Sequence, residues 1–373
     1  MMDAFYNPVR TFCGRGSLTK LPELVSALGA KRILVIEWSD EVQSLETFSK
    51  IAGNTDLVTR FETFTASNPT VEQLFEVLSS TSEFRPDLIV GVGGGSVMDV
   101  AKSLCALYGS ACENADALSS AIAGKSFTKR KIPWIGVPTT AGTGSEVTCW
   151  ATVWDPEHDR KLSVEDHSNY AYAALVDADL SCTLPLGLAV SSALDALCHA
   201  VEAYWSKSRN LVSRALALEA VRIVTSNMDS LIAGDMKAHD AMARASMLAG
   251  LSFSNTHTTA CHSVSYPLTM RYRIPHGVAV AMLLAPVLEL NMASFDGMDP
   301  LMRALNCSTA MELGRKIKDV MKRSGIKSSL REWGASMRDF DDIAPLCLTK
   351  GRADNNPAPL THENIIGILQ KAF

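Results

Sequence analysis

The sequence predicts an α/β domain followed by an all-α domain, on three observations. Short apolar runs alternate with amphipathic stretches in the first half. Long Ala/Leu-rich stretches, almost free of internal glycine and proline, fill much of the second. Between them "DADLSCTLP" (Asp177 to Pro185) breaks both patterns with polar residues and a proline. Strands alternating with helices build a doubly wound parallel sheet, whereas consecutive amphipathic helices pack on one another. The expected domains are residues 1–182 and 183–373, each long enough to bury its own core.

Each element has a local reason. "RILVIE" (Arg32 to Glu37), "DLIVGVG" (Asp87 to Gly93) and "IPWIGVP" (Ile132 to Pro138) are continuous apolar runs bounded by polar or glycine-rich turns, as strands buried on both faces require. Thr70 to Ser80 and Val97 to Tyr108 carry apolar residues at helical spacing between those runs. Beyond Leu184, "GLAVSSALDALCHAVEAYW", "LVSRALALEAVRIVTSNMDSLI" and "AHDAMARASMLAGLSF" are rich in strong helix formers.

Composition narrows the function classes. Of 373 residues, 47% are hydrophobic and 20% charged, the profile of a globular protein. The net charge of −5 comes with no basic block, which argues against nucleic acid as a partner. Nine cysteines stand singly with no CxxC pair, as in a reducing compartment. "MMDAFYNPVR" lacks the charged and apolar regions of a secretory signal, and no uninterrupted apolar stretch looks long enough to cross a bilayer. A cytoplasmic protein without a membrane partner is expected.

Two glycine-rich loops point to a ligand. "IVGVGGGSVMDVAKSL" passes from a strand into a helix expected to open near Val97, with Ser96 as its cap. Glycines at 93 to 95 permit close backbone approach, and the N–H groups of a helix start favour an anion such as a pyrophosphate. Ser96 stands where the dinucleotide fingerprint GxGxxG would place its last glycine, and no P-loop GK[ST] follows. Alone, such a turn is as often structural as phosphate-binding. "PTTAGTGSE" (Pro138 to Glu146) follows the next apolar run, and two such loops at strand ends indicate a ligand at the sheet's carboxyl edge.

A second constellation suits a metal ion. Asp195 and His199 lie four apart in a strongly helical stretch, so carboxylate and imidazole share one face. "ACHSVSYPLTMRYRIPHG" adds His262 and His276, with Tyr266 one turn beyond His262. One Asp and three His form a mixed O/N donor set suited to Fe(II), Zn(II) or another borderline divalent ion. The plainer reading of Asp-x-x-x-His is a paired polar face on a helix. His257 is out of phase with His262 and is expected to be structural.

Together these motifs resemble the iron-dependent (group III) alcohol dehydrogenase family along nearly the whole chain. "GGGSVMDVAK" is similar to its pyrophosphate motif, "PTTAGTGSE" to its second cofactor loop, and "DALCHAVEAYW" with "CHSVSYP" and "IPHGVAVAMLLAPVLELN" to its metal segments. The resemblance implies a Rossmann-like domain followed by an all-helical metal-binding domain, and a homodimer. It implies metal ligands Asp195, His199, His262 and His276. It places NAD or NADP on Gly94, Gly95, Ser96, Asp99, Lys102, Thr139, Thr140, Thr143, Ser145 and Lys161. The activity implied is hydride transfer between NAD(P)H and a small aldehyde, with Fe(II) or Zn(II) as Lewis acid. Related alternatives are an iron-type alcohol dehydrogenase acting on an uncharged or other anionic aldehyde, and a dehydroquinate-synthase-like metal lyase.

Two departures concern the substrate. Many family members carry histidine at Tyr266 and glycine at Thr269. A phenol, with a reference pKa near ~10, still donates a hydrogen bond but is a poor base at neutral pH. Tyr266 and His276 are the expected catalytic residues. The pattern "SYPLTxxxxIPHG" resembles a branch that includes phosphonoacetaldehyde reductases of phosphonate biosynthesis, and Arg271 and Arg273 are candidate partners for an anionic head group. The end of the early strand, with Glu37, Trp38 and Asp40, leaves NAD and NADP both open.

Overall fold

The computed structural model describes residues 3–373 except 111, 127–131 and 159. The chain forms two compact units. One comprises Asn7–Thr140 and Ser145–Leu180; the other comprises Ser181–Phe373, Ala141–Gly144 and a short N-terminal piece ending at Tyr6.

The first unit is built on a parallel sheet. Its strands are β1 (Arg10–Cys13), β2 (Arg32–Glu37), β3 (Val58–Thr63), β4 (Leu88–Gly93), β5 (Trp134–Pro138) and β8 (Ala173–Val176), in the order β1-β8-β5-β4-β2-β3. The three apolar runs read from the sequence are β2, β4 and β5, three of the four inner strands. Alternation of side chains sends Leu34, Ile36 and Ile89 into one core, with Val97, Val100 and Leu104. It sends Ile33, Val35, Val90 and Val137 into the opposite core, with Leu21, Leu24 and Phe48. Helices α1 (Leu21–Leu28), α2 (Glu41–Ser44), α3 (Glu46–Ala52), α4 (Val71–Thr81), α5 (Gly95–Leu107) and α6 (Ala115–Ala123) connect the strands, and α1 and α3 lie on the face opposite α4 and α5. A small antiparallel pair, β6 (Trp150–Asp155) with β7 (Arg160–Glu165), completes the unit.

The second unit is helical. Its leading helices are α7 (Leu186–Trp205), α8 (Leu211–Ile232), α9 (Met236–Thr256), α10 (Ala260–Tyr272) and α11 (His276–Asn291). Among the described residues no strand follows Val176. By length and composition an 18-residue window of α7 is apolar enough to cross a membrane, although Asp195, His199 and Glu202 interrupt the helix's apolar sequence. It is a core helix here: 78% of that window is buried inside the protein.

Candidate active site

In the α/β unit, the carboxyl ends of β4 and β5 lie side by side, with Gly93 opposite Pro138. Helix α5 opens at Gly95 with Gly94 as its cap residue, not near Val97. The expected Ser96 cap is corrected with it: the Ser96 hydroxyl lies in the first turn and accepts from the Asn68 N–H at 3.0 Å. The start is earlier because an extended glycine can precede the helix without a capping side chain. A Cβ on Gly94 would lie 3.3 Å from Thr140 Cγ2, so glycine lets the two loops approach this closely without a shift of Thr140. The Thr139 N–H donates to the Gly93 carbonyl at 3.0 Å, tying one loop to the other. Gly94, Gly95, Ser96, Thr139 and Thr140 therefore cluster where exposed N–H groups at a helix start can meet an anion.

Behind those loops sits a buried polar cluster. Lys102, on α5, is fully buried, and its ammonium donates to Ser145 O (2.8 Å), Ser145 Oγ (3.0 Å), Thr148 Oγ1 (2.9 Å) and Trp150 O (2.7 Å). Ser145 Oγ in turn donates to Asp99 at 3.2 Å. Burial pushes the Lys102 ammonium down to about 8, against the pull of Asp99. Loss of water pushes the Asp99 carboxyl up to about 6, even beside the lysine charge. Lys102 thus braces the segment after the second loop. Lys161, on β7, lies over the Trp154 ring at 5.9 Å. Thr143, half-buried, belongs to the Ala141–Gly144 piece of the helical unit.

In the helical unit, α7 presents Asp195 and His199 on one face, α10 presents His262, and His276 opens α11. Asp195, His262 and His276 each offer a ligand atom, all within 4.8 Å of one another. Asp195 Oδ1 lies 3.6 Å from His262 Nε2 and 3.9 Å from His276 Nε2. The approach depends on Gly277, because a Cβ there would meet Ser191 O at 2.3 Å and Asp195 Cβ at 3.1 Å. Asp195 and His262 are buried while the His276 side chain keeps 33% of its surface, so the group is open on the His276 side. His199 lies beside the trio rather than within it. Its ring stacks on Phe253 at 4.3 Å, and Nδ1 meets the Gly142 carbonyl at 3.3 Å and Asp195 Oδ2 at 3.7 Å. A proton on Nδ1, given to that carbonyl, leaves a lone pair on Nε2.

The group is chemically unfinished without an ion. Asp195 Oδ1 and His262 Nε2 are buried polar atoms with no hydrogen-bond partner among the described residues. Orphaned buried groups of this kind are costly, and a divalent cation would satisfy both at once. Burial disfavours the Asp195 charge, yet the His199, His262 and His276 imidazoles hold its carboxyl below the usual range. Burial pushes His199 down to about 4, leaving the neutral imidazole that a metal requires. The donor set fits iron or zinc.

Sequence reasoning missed Glu202. It is fully buried on α7; one oxygen pairs with His262 Nδ1, and the other accepts from Thr259 Oγ1 (2.9 Å) and the Cys261 N–H (2.6 Å). This carboxylate fixes the His262 ring with Nε2 toward Asp195. The signal was present, since Asp195, His199 and Glu202 fall at i, i+4 and i+7 of one helix. Tyr266 stacks on His276 with centroids 5.9 Å apart and planes 5° from parallel. His257 caps the end of α9 at φ 56° and ψ 175°. Arg271 is exposed and pairs with Asp339 at 3.1 Å, and Arg273 is exposed at the end of α10.

Comparison with known proteins decides the class. The family described as iron-containing alcohol dehydrogenase matches residues 8–178, and the C-terminal part of the Fe-containing alcohol dehydrogenase family matches residues 189–373. A 1,3-propanediol dehydrogenase of Klebsiella pneumoniae is 33% identical over 77% of this chain and 76% of its own. The chain belongs to the iron-containing alcohol dehydrogenase family. A lactaldehyde reductase of Escherichia coli is 29% identical over 96% of this chain and 97% of its own. The solved structure of a sulfoacetaldehyde reductase from Bifidobacterium kashiwanohense in complex with NAD+ superposes with a TM-score of 0.89 at 25% identity, covering 100% of this chain and 99% of that one. As an iron-containing alcohol dehydrogenase, the protein is an NAD(P)-dependent oxidoreductase of the alcohol dehydrogenase and aldehyde reductase class.

Proposed function

We propose that the enzyme reduces a small aldehyde bearing an anionic head group to the primary alcohol, with phosphonoacetaldehyde, giving 2-hydroxyethylphosphonate, as the leading candidate. The observation that carries the metal part is the pair of orphaned atoms, Asp195 Oδ1 and His262 Nε2, 3.6 Å apart. Asp195, His262 and His276 would hold Fe(II), or Zn(II), with His199 as fourth ligand through the nitrogen turned from Gly142. When bound, the ion supplies Lewis acidity at the carbonyl oxygen, and NADH or NADPH supplies the hydride that the carbonyl carbon gains.

The chain's own residues do the rest. Glu202 holds His262 in one orientation. Gly94, Gly95, Ser96, Thr139 and Thr140 offer the pyrophosphate a helix start, Thr143 and Ser145 line the cofactor's second loop, and Lys161 adds a charge from β7. Asp99 and Lys102 keep that second loop in place. The alkoxide oxygen gains its proton through a water or the cofactor's ribose hydroxyl, with Tyr266, stacked on His276, as a hydrogen-bonding participant. The similarity to a sulfoacetaldehyde reductase supports an anionic aldehyde, since that protein's named substrate carries a sulfonate. The nine cysteines, scattered singly with no CxxC pair, support a cytoplasmic setting, and a homodimer, implied by the resemblance, is tested by light scattering.

The deciding experiment is an anaerobic assay with Fe(II), following NADH or NADPH consumption with phosphonoacetaldehyde, sulfoacetaldehyde and propanal. The proposal expects metal-dependent turnover with a higher kcat/KM for an anionic aldehyde. A preference for propanal would contradict it.

A further inference from the structure

Arg352 reaches the metal cluster through an aromatic ring. It lies in the turn after Leu348, where its N–H donates to Thr349 O and its carbonyl accepts from the Asn355 N–H, both at 3.1 Å. The turn is anchored on both following residues. Asn355 accepts from Ser206 Oγ at 2.9 Å and donates to Thr256 O at 2.7 Å, and Asn356 exchanges amide hydrogen bonds with Asn291. The Arg352 guanidinium sits over the Tyr266 ring at 5.6 Å, and Tyr266 stacks on His276. Two ring contacts therefore connect this cation to the open side of the metal cluster.

The charge of Arg352 is uncommitted. Arg160, Arg271 and Arg323 each pair with a carboxylate, whereas among the described residues no carboxylate pairs with Arg352. Its Nε is buried without a hydrogen-bond partner. Thr269, one turn past Tyr266 on the same face of α10, has a buried Oγ1 that is likewise unpartnered. A held guanidinium with a dry N–H, on a ring that lies one helical turn from a buried unpartnered hydroxyl, suits an acceptor with several oxygens. A planar fork matches a tetrahedral oxyanion with two parallel hydrogen bonds. The aromatic face below it favours the cation while leaving its edge free.

We propose that Arg352, assisted by Thr269, is the specificity residue that binds the anionic head group of the aldehyde. Arg271 is paired with Asp339 at the surface, and substitution of Arg352 leaves it and Arg273 intact. The inference rests on the aldehyde-reductase reading, and it names the residue that gives that reading its substrate class.

The test compares kcat/KM for phosphonoacetaldehyde and propanal in wild type, Arg352→Met and Arg352→Lys, with methylphosphonate as a competitive inhibitor against propanal. Losing a hydrogen bond to a charged group should lower the anionic-to-neutral preference of Arg352→Met about 10- to 100-fold, and raise the methylphosphonate inhibition constant similarly. Arg352→Lys keeps the charge without the fork and should fall between. A preference ratio and an inhibition constant within about twofold of wild type in both variants would overturn the proposal. Calorimetric titration of methylphosphonate into wild type and Arg352→Lys separates the two ideas. Should no aldehyde be reduced, binding that weakens in the variant still supports the anion site, and equal or absent binding rejects it.

Discussion

Two buried polar clusters, one in each unit, are built from similar groups and end in opposite states. Around Lys102 every demand is met, since the ammonium finds four acceptors and Asp99 receives Ser145. Around Asp195, a carboxylate and imidazoles approach to 3.6–3.9 Å but leave Asp195 Oδ1 and His262 Nε2 unsatisfied. A saturated cluster holds backbone in place; an unsaturated one is shaped for something that is not protein. The contrast separates bracing residues from binding residues more sharply than residue type does, because a lysine in a cofactor motif would otherwise be read as a phosphate contact.

The largest expected effect comes from breaking the saturated cluster. Lys102→Met leaves four acceptors and Asp99 without their cation and should cost about 3–5 kcal/mol in chemical denaturation. A loss of cofactor binding with unchanged stability would make Lys102 a ligand contact instead. Next is the support of the unsaturated cluster. Glu202→Gln keeps the shape but removes the charge that faces His262 Nδ1, and metal affinity measured with a competing chelator should fall about 10- to 100-fold. Unchanged affinity would mean that Glu202 only packs.

The smallest effect is a control at another residue of the α/β unit. Asp155 is buried, which disfavours its charge, but Ser119 (2.6 Å), His158 (2.9 Å) and Arg160 (2.9 Å) hold its carboxyl well below the usual range. A depressed pKa stabilises the fold above the unfolded value of ~3.9, and that contribution is lost as the pH falls below it. Asp155→Asn should therefore cost about 1 kcal/mol at pH 7, discounted because Arg160 and His158 are largely exposed, and should flatten the acid limb of the stability profile. An acid limb identical to wild type would contradict the assignment.

What was legible in the sequence follows from how local each signal is. Strands β2, β4 and β5 are buried on both faces and read as apolar runs, whereas β3, "VTRFET", is a half-exposed edge strand with no such run. Between β6 and β7, Pro156–His158 form a 3-10 turn, and the connecting sequence lacks the Asn-Gly or Asp-Gly that marks a hairpin. Asp195 and His199 were readable because one helix carries both. Glu202 shares that helix face, which marks its position, but its partner His262 is 60 residues away, so its hold on that ring is visible only in the fold. Arg352 is harder still: its meaning comes from Tyr266, and only the folded chain brings a C-terminal turn onto that ring.

The central claim is that the unsaturated cluster is a site for one divalent ion. Anaerobic titration of wild type and Asp195→Asn with Fe(II), read by the metal retained after gel filtration and by the shift in thermal melting, tests it most directly. The account predicts about one ion retained per wild-type chain with a raised Tm, and neither effect in Asp195→Asn. Equal retention and an equal shift in the two proteins would contradict it.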